Sequence, residues 1–191
     1  MSLYEIAISR RSIRRFKNLP VPREILERCV NAARLAPSAA NLQPLEYLVV
    51  DDEKLLPQVF STLKWAAYIQ PEGDPPEGER PRTYIVILKH KDIGVDSSVY
   101  DVGTAVENII LVALEEGIGS CPLAGVDRER LREILSIPQK YEIPLVLALG
   151  YPAESPVAEP FQGSVEYWKD EGGILHVPKK SLKSVLHWNS L

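Results

Sequence analysis

The sequence predicts one domain that mixes helices and strands, and three observations carry that prediction. At 191 residues the chain is long enough to bury a substantial core in a single unit. Runs rich in β-branched and aromatic residues (LEYLVV, TYIVILK, IPLVLALG) alternate with segments whose apolar residues recur at helical spacing. No internal repeat and no linker divides the chain. Alternation alone fits a parallel α/β sheet, and short strands with such varied connections fit α+β equally well. The residues leave both open.

Taken in order, LYEIAI is a short apolar-rich helix that stops at a cluster of arginines. Pro22 sits where a first helical turn tolerates proline. Behind it Ile25, Leu26, Cys29, Val30 and Ala33 follow the spacing of an amphipathic helix, which Pro37 ends. PSAANLQP, residues 37–44, is a small-residue loop bounded by prolines that leads into the strand LEYLVV. A helix is expected around Lys54–Leu63, interrupted or kinked at Pro57. Residues 70–82, QPEGDPPEGERPR, carry Pro, Gly and charge, a composition that predicts a mobile surface loop. TYIVILK is the clearest strand. Residues 98–117 form the longest helical pattern, apolar around much of its circumference (Val102, Ala105, Val106, Ile109, Ile110, Ala113), and so predicted to be central. Asp127 is a plausible N-cap for RERLREIL, and IPLVLALG reads as a fully buried strand. Residues 151–173 read as irregular, and 174–191 show no core face of their own.

Charge narrows the function classes. The chain has a net charge of −4 and a pI near 5.5, which argues against nucleic acid as a partner. Residues 1–34 nevertheless hold eight Lys/Arg against three Asp/Glu. No stretch approaches the ~20 apolar residues of a membrane span, and Arg10 arrives before any apolar run of signal-peptide length, so a cytoplasmic protein is expected. Cys29 and Cys121 fit no metal or redox spacing, and Cys29 lies on an apolar face as an inert thiol. G-x-G-x-x-G after a strand, the P-loop, H-E-x-x-H and C-x-x-C are all missing, which leaves no case for a metal. His90, His176 and His187 read as solvent-facing or capping residues.

What remains is RRSIRRF, residues 10–16, with four arginines in seven residues. Arg10, Arg11 and Ser12 at a helix end offer planar donor forks and a hydroxyl, a set suited to phosphate, with a solvated basic face as the alternative. Ser38, Asn41 and Gln43 place short polar groups on the proline-bounded loop, and PLAG, residues 122–125, makes a tight turn.

In order and spacing, RRSIRRF, PSAANLQP, DVGTAVENIILVA, SCPLAG and GYP resemble the FMN-dependent nitroreductase family, from Tyr4 to about Pro152 and again in the tail. The resemblance implies an α+β fold: a mixed, largely antiparallel sheet flanked by helices, in an intertwined homodimer with FMN at the interface. It implies that Arg10, Arg11, Ser12 and Arg14 of one subunit hold the phosphate, ribityl chain and ring edge of FMN. Pro37, Ser38, Ala39 and Asn41 would approach from the other subunit. Pro122, Leu123, Ala124 and Gly125 would lie along the ring, with a backbone N–H near N5. Lys179 or Lys180 takes the position of a phosphate-binding cation, and residues 174–191 become an arm on the partner. Where many members carry glutamate before the turn glycine, this chain has Ala124. The implied activity is hydride uptake from NADH or NADPH and electron transfer to a nitroaromatic, quinone or similar small acceptor, with no side-chain base required. Reductive dehalogenation, flavin fragmentation and a non-catalytic flavin sensor or carrier are the alternatives. Trp65 and Tyr68 are candidates for stacking on substrate, Trp65 equally a core anchor.

Overall fold

The computed structural model describes residues 1–191. The first helix, α1 (Leu3–Ser9), opens with a capping box: the Glu5 N–H donates to Ser2 Oγ (3.2 Å) and the Ser2 N–H to Glu5 Oε2 (2.7 Å). After Pro22 comes α2 (Arg23–Arg34), which buries Leu26, Cys29 and Ala33 as its periodicity requires. The strand β1 (Leu45–Val50) follows the 37–44 loop, and α3 (Leu56–Phe60) is shorter than expected. Pro57 lies in its first turn, where the missing N–H costs nothing, so it starts the helix instead of kinking it. Then come β2 (Thr83–His90), α4 (Ser98–Glu115), β3 (Gly119–Leu123), α5 (Arg128–Leu135), β4 (Tyr141–Glu142) and β5 (Val146–Gly150). Asp127 caps α5 by accepting from the Arg130 N–H at 3.2 Å.

The main sheet has the order β1-β2-β5-β3, with β4 beside β2, and every pairing is antiparallel. This decides for α+β over the parallel sheet that the alternation of elements allowed. The unbroken apolar runs of β2 and β5 have a simple cause: both faces of the sheet are covered. On β2, Ile85 and Ile87 point into a core shared with α2 and α4, while Tyr84, Val86 and Leu88 point into a second core with α3, α5 and Leu63–Ala66. Within the first core α4 packs along α2 and buries Val102, Ala105, Ile109 and Ala113. No helix is long and apolar enough to cross a membrane.

Two expectations change. Residues 151–173 are not wholly irregular: β6 (Val157–Pro160) pairs in parallel and β7 (Trp168–Lys169) antiparallel with β8 (Leu175–Lys179), making a second small sheet. The 70–82 segment is pinned to the body, not loose. Gly73, Pro75 and Pro81 are buried, Glu79 O accepts the Phe16 N–H (2.9 Å), and the Glu79 carboxylate pairs with Arg15 (2.6 Å).

Candidate functional site

RRSIRRF meets the free edge of β3 at Ser120 and then crosses to the end of β5, where Phe16 bridges Pro152 and the Lys17 N–H donates to Tyr151 O at 2.8 Å. The Ile13 N–H donates to Ser120 O at 2.9 Å, and Ser12 bridges Ser120 in parallel. Its apolar residues anchor it: Ile13 and Phe16 are buried, whereas Ser12, Arg14 and Arg15 alternate outward, half-exposed. Two glycines make the slot. Gly119 and Gly150 are register partners on β3 and β5; a Cβ on Gly119 would meet Ile13 at 2.7 Å and one on Gly150 the Phe16 ring at 2.8 Å. The motif's other end is held by Glu154, whose Oε1 accepts the N–H groups of Arg14 (2.5 Å) and Arg15 (3.2 Å). Backbone contacts therefore fix the segment, and among its guanidinium groups only that of Arg15 is closely ion-paired, with Glu79.

That leaves the guanidinium groups of Arg10, Arg11 and Arg14 largely unspent. Arg10 meets only Glu107, at 3.9 Å. Arg11 donates to the carbonyls of Ile8 (3.0 Å) and Arg10, while Nε of Arg11 and Nε of Arg14 are buried without a partner. Burial, then the charge of Arg10, pushes Arg11 below the ordinary guanidinium range. An anion docked here would satisfy the orphaned donors and offset the mutual repulsion.

PLAG lies at the other end of β3, which stops at Leu123. Pro122, Ala124 and Gly125 are exposed and Leu123 is buried. The turn is clamped from both sides, because Ala124 O accepts from Arg128 (3.1 Å) and Gly125 O from the Lys64 N–H (2.8 Å). The N–H groups of Ala124 and Gly125 have no partner in the chain. The 37–44 loop is built on different supports. Ser38 Oγ donates to Asp101 Oδ2 (2.8 Å) and the Ala39 N–H to Asp101 Oδ1 (3.0 Å), with Asp101 buried in the first turn of α4. Ala40 and Asn41 take positive φ (49° and 56°), which turns the exposed Asn41 outward, while Pro37 is exposed beside it. Ser38 and the arginines line separate concavities of about 160 and 210 Å³. Each is smaller than the ~300–1,000 Å³ of a typical ligand pocket.

Comparison with known proteins places this arrangement. The nitroreductase family model matches residues 7–151, a span that holds both the arginine edge and the turn. The chain belongs to the nitroreductase family. It is 32% identical over 179 residues to a Thermus thermophilus protein named NADH dehydrogenase, covering 78% of this chain and 85% of that one. An iodotyrosine deiodinase of Thermotoga neapolitana is 29% identical over 164 residues, covering 78% and 88%. Among solved structures, an FMN-dependent nitroreductase of Clostridium difficile aligns with a TM-score of 0.69 at 25% identity, over 97% of this chain and 98% of that one. The chain is an oxidoreductase of this family.

Within the nitroreductase frame the remaining expected residues separate. Trp65 is a core anchor: it is 3% exposed and stacks on Phe60 at 5.7 Å, so it offers no face to a substrate. Tyr68 is 54% exposed and meets Tyr167 edge-on at 5.0 Å. Lys179 ends β8, and both it and Lys180 are exposed without an ion pair. Cys29 and Cys121 are free and buried, each thiol pushed up to about 11 by burial. His176 is not a plain surface residue: it stacks on Trp168 between Glu159 (3.1 Å) and Asp170 (3.2 Å). Sequence reasoning missed Asp101, Glu154 and Tyr167, the last lying under the Arg14 guanidinium at 5.0 Å. Only Glu154 had a readable signal, an acid just after GYP in a chain whose arginine segment carries the opposite charge.

Proposed function

We propose that the protein is an FMN-dependent oxidoreductase that takes reducing equivalents from NADH or NADPH and passes them to a small aromatic acceptor such as a nitroaromatic or quinone. The observation that carries this reading is two sets of unspent donors at the two ends of β3: Arg11 Nε and Arg14 Nε beside its start, and the free N–H groups of Ala124 and Gly125 after its end. These residues fit FMN. Arg10, Arg11 and Ser12 would hold its phosphate and ribityl chain, Arg14 its ring edge, and the turn Pro122–Gly125 its flat face. Lys179 or Lys180 would add a cation at the phosphate. When bound, FMN would supply the two-electron redox chemistry that links the nicotinamide to the acceptor in a ping-pong cycle.

The chain's own part is placement and electrostatics. Arg14 sets positive charge where negative charge grows on the ring. The Ala124 and Gly125 N–H groups serve as fixed donors, and with Ala124 in place no carboxylate stands in the turn. Buried Leu123 and the clamps from Arg128 and Lys64 keep those donors from reorganising.

We also infer that the working unit is a homodimer, with Pro37, Ser38, Ala39 and Asn41 supplied by the second copy. Two observations support it. The arginine edge and the Ser38 loop line separate, small concavities in one chain. Exposed apolar residues on α1 (Leu3, Tyr4, Ile8) and α4 (Val99, Tyr100) also form surface that a lone subunit leaves wet. The expected arm 174–191 is shortened by the fold: Leu175–Lys179 form β8, paired within their own chain with Leu175 buried, so the arm proposed here is 180–191, where Leu182, Val185 and Trp188 are exposed. Free, buried cysteines fit a cytoplasmic setting.

The deciding experiment is anaerobic reduction of the FMN-loaded protein by each nicotinamide, followed by reoxidation with a panel of acceptors. Bleaching and acceptor-dependent recovery are expected; a yellow protein indifferent to both nicotinamides would mean a carrier or sensor. A second reading, reductive dehalogenation, is favoured by the resemblance to the Thermotoga deiodinase. Release of iodide from iodotyrosine, with nitroaromatics and quinones left untouched, would select it.

A further inference from the structure

We propose that Tyr68, Tyr167 and Lys169 form an acceptor subsite for a planar aromatic compound that carries an anionic group, an aromatic carboxylate being the simplest case. The inference rests on the oxidoreductase reading above and names the substrate class of that same site. It starts from the alternation of side chains around β7. Trp168 faces the small sheet, stacked on His176 with ring centroids 4.3 Å apart and donating to Glu159 at 2.9 Å. Its neighbours Tyr167 and Lys169 must project the other way. There Tyr167 lies under the Arg14 guanidinium and edge-on to Tyr68, each at 5.0 Å, which puts this wall directly beside the arginine edge.

The charges on that wall do not balance. Arg14 lies over the Tyr167 ring at 5.0 Å, Lys169 feels the charges of Arg14 and Arg15, and the carboxylates that act against them are Glu79 and Glu154. Both carboxylates are engaged elsewhere: Glu79 binds the Arg15 guanidinium at 2.6 Å, and Glu154 caps the backbone N–H groups of Arg14 and Arg15. Lys169 is half-buried and has no ion pair. Burial, then the field of Arg15, lowers its pKa, so a carboxylate arriving there would relieve an existing strain on the ammonium form. Once Arg14 is committed to the cofactor's ring edge, Lys169 is the charge left for a second molecule. Tyr68 offers that molecule an exposed aromatic face, since rings prefer offset or edge-on packing at such distances.

The test compares two probes of one shape on the FMN-loaded protein, benzoate and uncharged benzamide, by calorimetric titration. Benzoate should bind about five- to tenfold tighter, roughly one charge-assisted contact at a half-exposed site, and the gap should shrink as salt is raised. Lys169→Met should erase the gap and Lys169→Arg should keep it. The ratio of kcat/KM for para-nitrobenzoate over nitrobenzene should follow the same pattern. Equal affinity of the wild-type protein for both probes overturns the proposal without any variant. So does a Lys169→Met protein that loses affinity for NADH or NADPH but keeps its benzoate preference, which would assign the lysine to the reductant. Failure of either nicotinamide to bleach the flavin would overturn the oxidoreductase reading instead, and leaves the probe affinities to be read separately.

Discussion

Asp101 shows how much of the site is set by residues that touch no ligand. Its carboxylate takes both the Ser38 hydroxyl and the Ala39 N–H from a position only 5% exposed. Asp101→Ala would strand those donors, at a cost of about 1–3 kcal/mol, seen as a lower denaturant midpoint at unchanged slope. Asp101→Asn, which keeps one acceptor, should recover part of the loss. The two thiols give a pH dependence. Folded Cys29 and Cys121 have pKa values raised to about 11, above the ordinary thiol value of 9.0, so the folded chain holds protons that the unfolded chain releases first. Their contribution is complete below pH 9 and is lost as pH climbs toward 11. Unfolding midpoints measured from pH 7 to pH 11 should therefore fall on the alkaline side, and thiol reagents should stay slow until that fall begins.

At the scale of elements, the paired glycines of β3 and β5 explain why an arginine-rich segment lies flat across the ends of two neighbouring strands. Gly150→Ala drives a methyl into the Phe16 ring and should cost about 1–3 kcal/mol. The Tm drop would be roughly 2–4 °C per kcal/mol for a chain of this length. Flavin retention should fall with it, because Phe16 anchors the motif. Gly103→Ala on α4, where a new Cβ meets nothing within 4 Å, should show no such loss as a purified subunit. Legibility followed segment chemistry. LEYLVV, TYIVILK and IPLVLALG announce themselves because strands covered on both faces are apolar throughout, and the α2 periodicity marks its buried side. VAEP, WK and LHVPK carry no such pattern: they are two to five residues long and are held by pairing across the chain. The direction of the main sheet was likewise hidden, since composition does not tell an antiparallel strand buried on both faces from a parallel one.

For the whole molecule, the motifs were readable one by one but not their grouping. RRSIRRF bridges β3 near its start and PLAG lies at its other end, while the Ser38 loop is tied to the start of α4. The dimer proposal joins them through a second copy. A chain ending at Lys180, without exposed Leu182, Val185 and Trp188, should dissociate already at higher concentration than the full chain in analytical ultracentrifugation and lose flavin in parallel. A monomer that keeps its flavin would contradict the proposal. The central claim is narrower: the arginine edge is a cradle for the FMN phosphate. It is tested most directly by titrating flavin-free protein with FMN and with riboflavin, which lacks that phosphate. The account predicts that FMN binds at least about tenfold tighter, and that Arg10→Ala removes most of the difference. Equal affinity for the two flavins, or a difference untouched by Arg10→Ala, would contradict it.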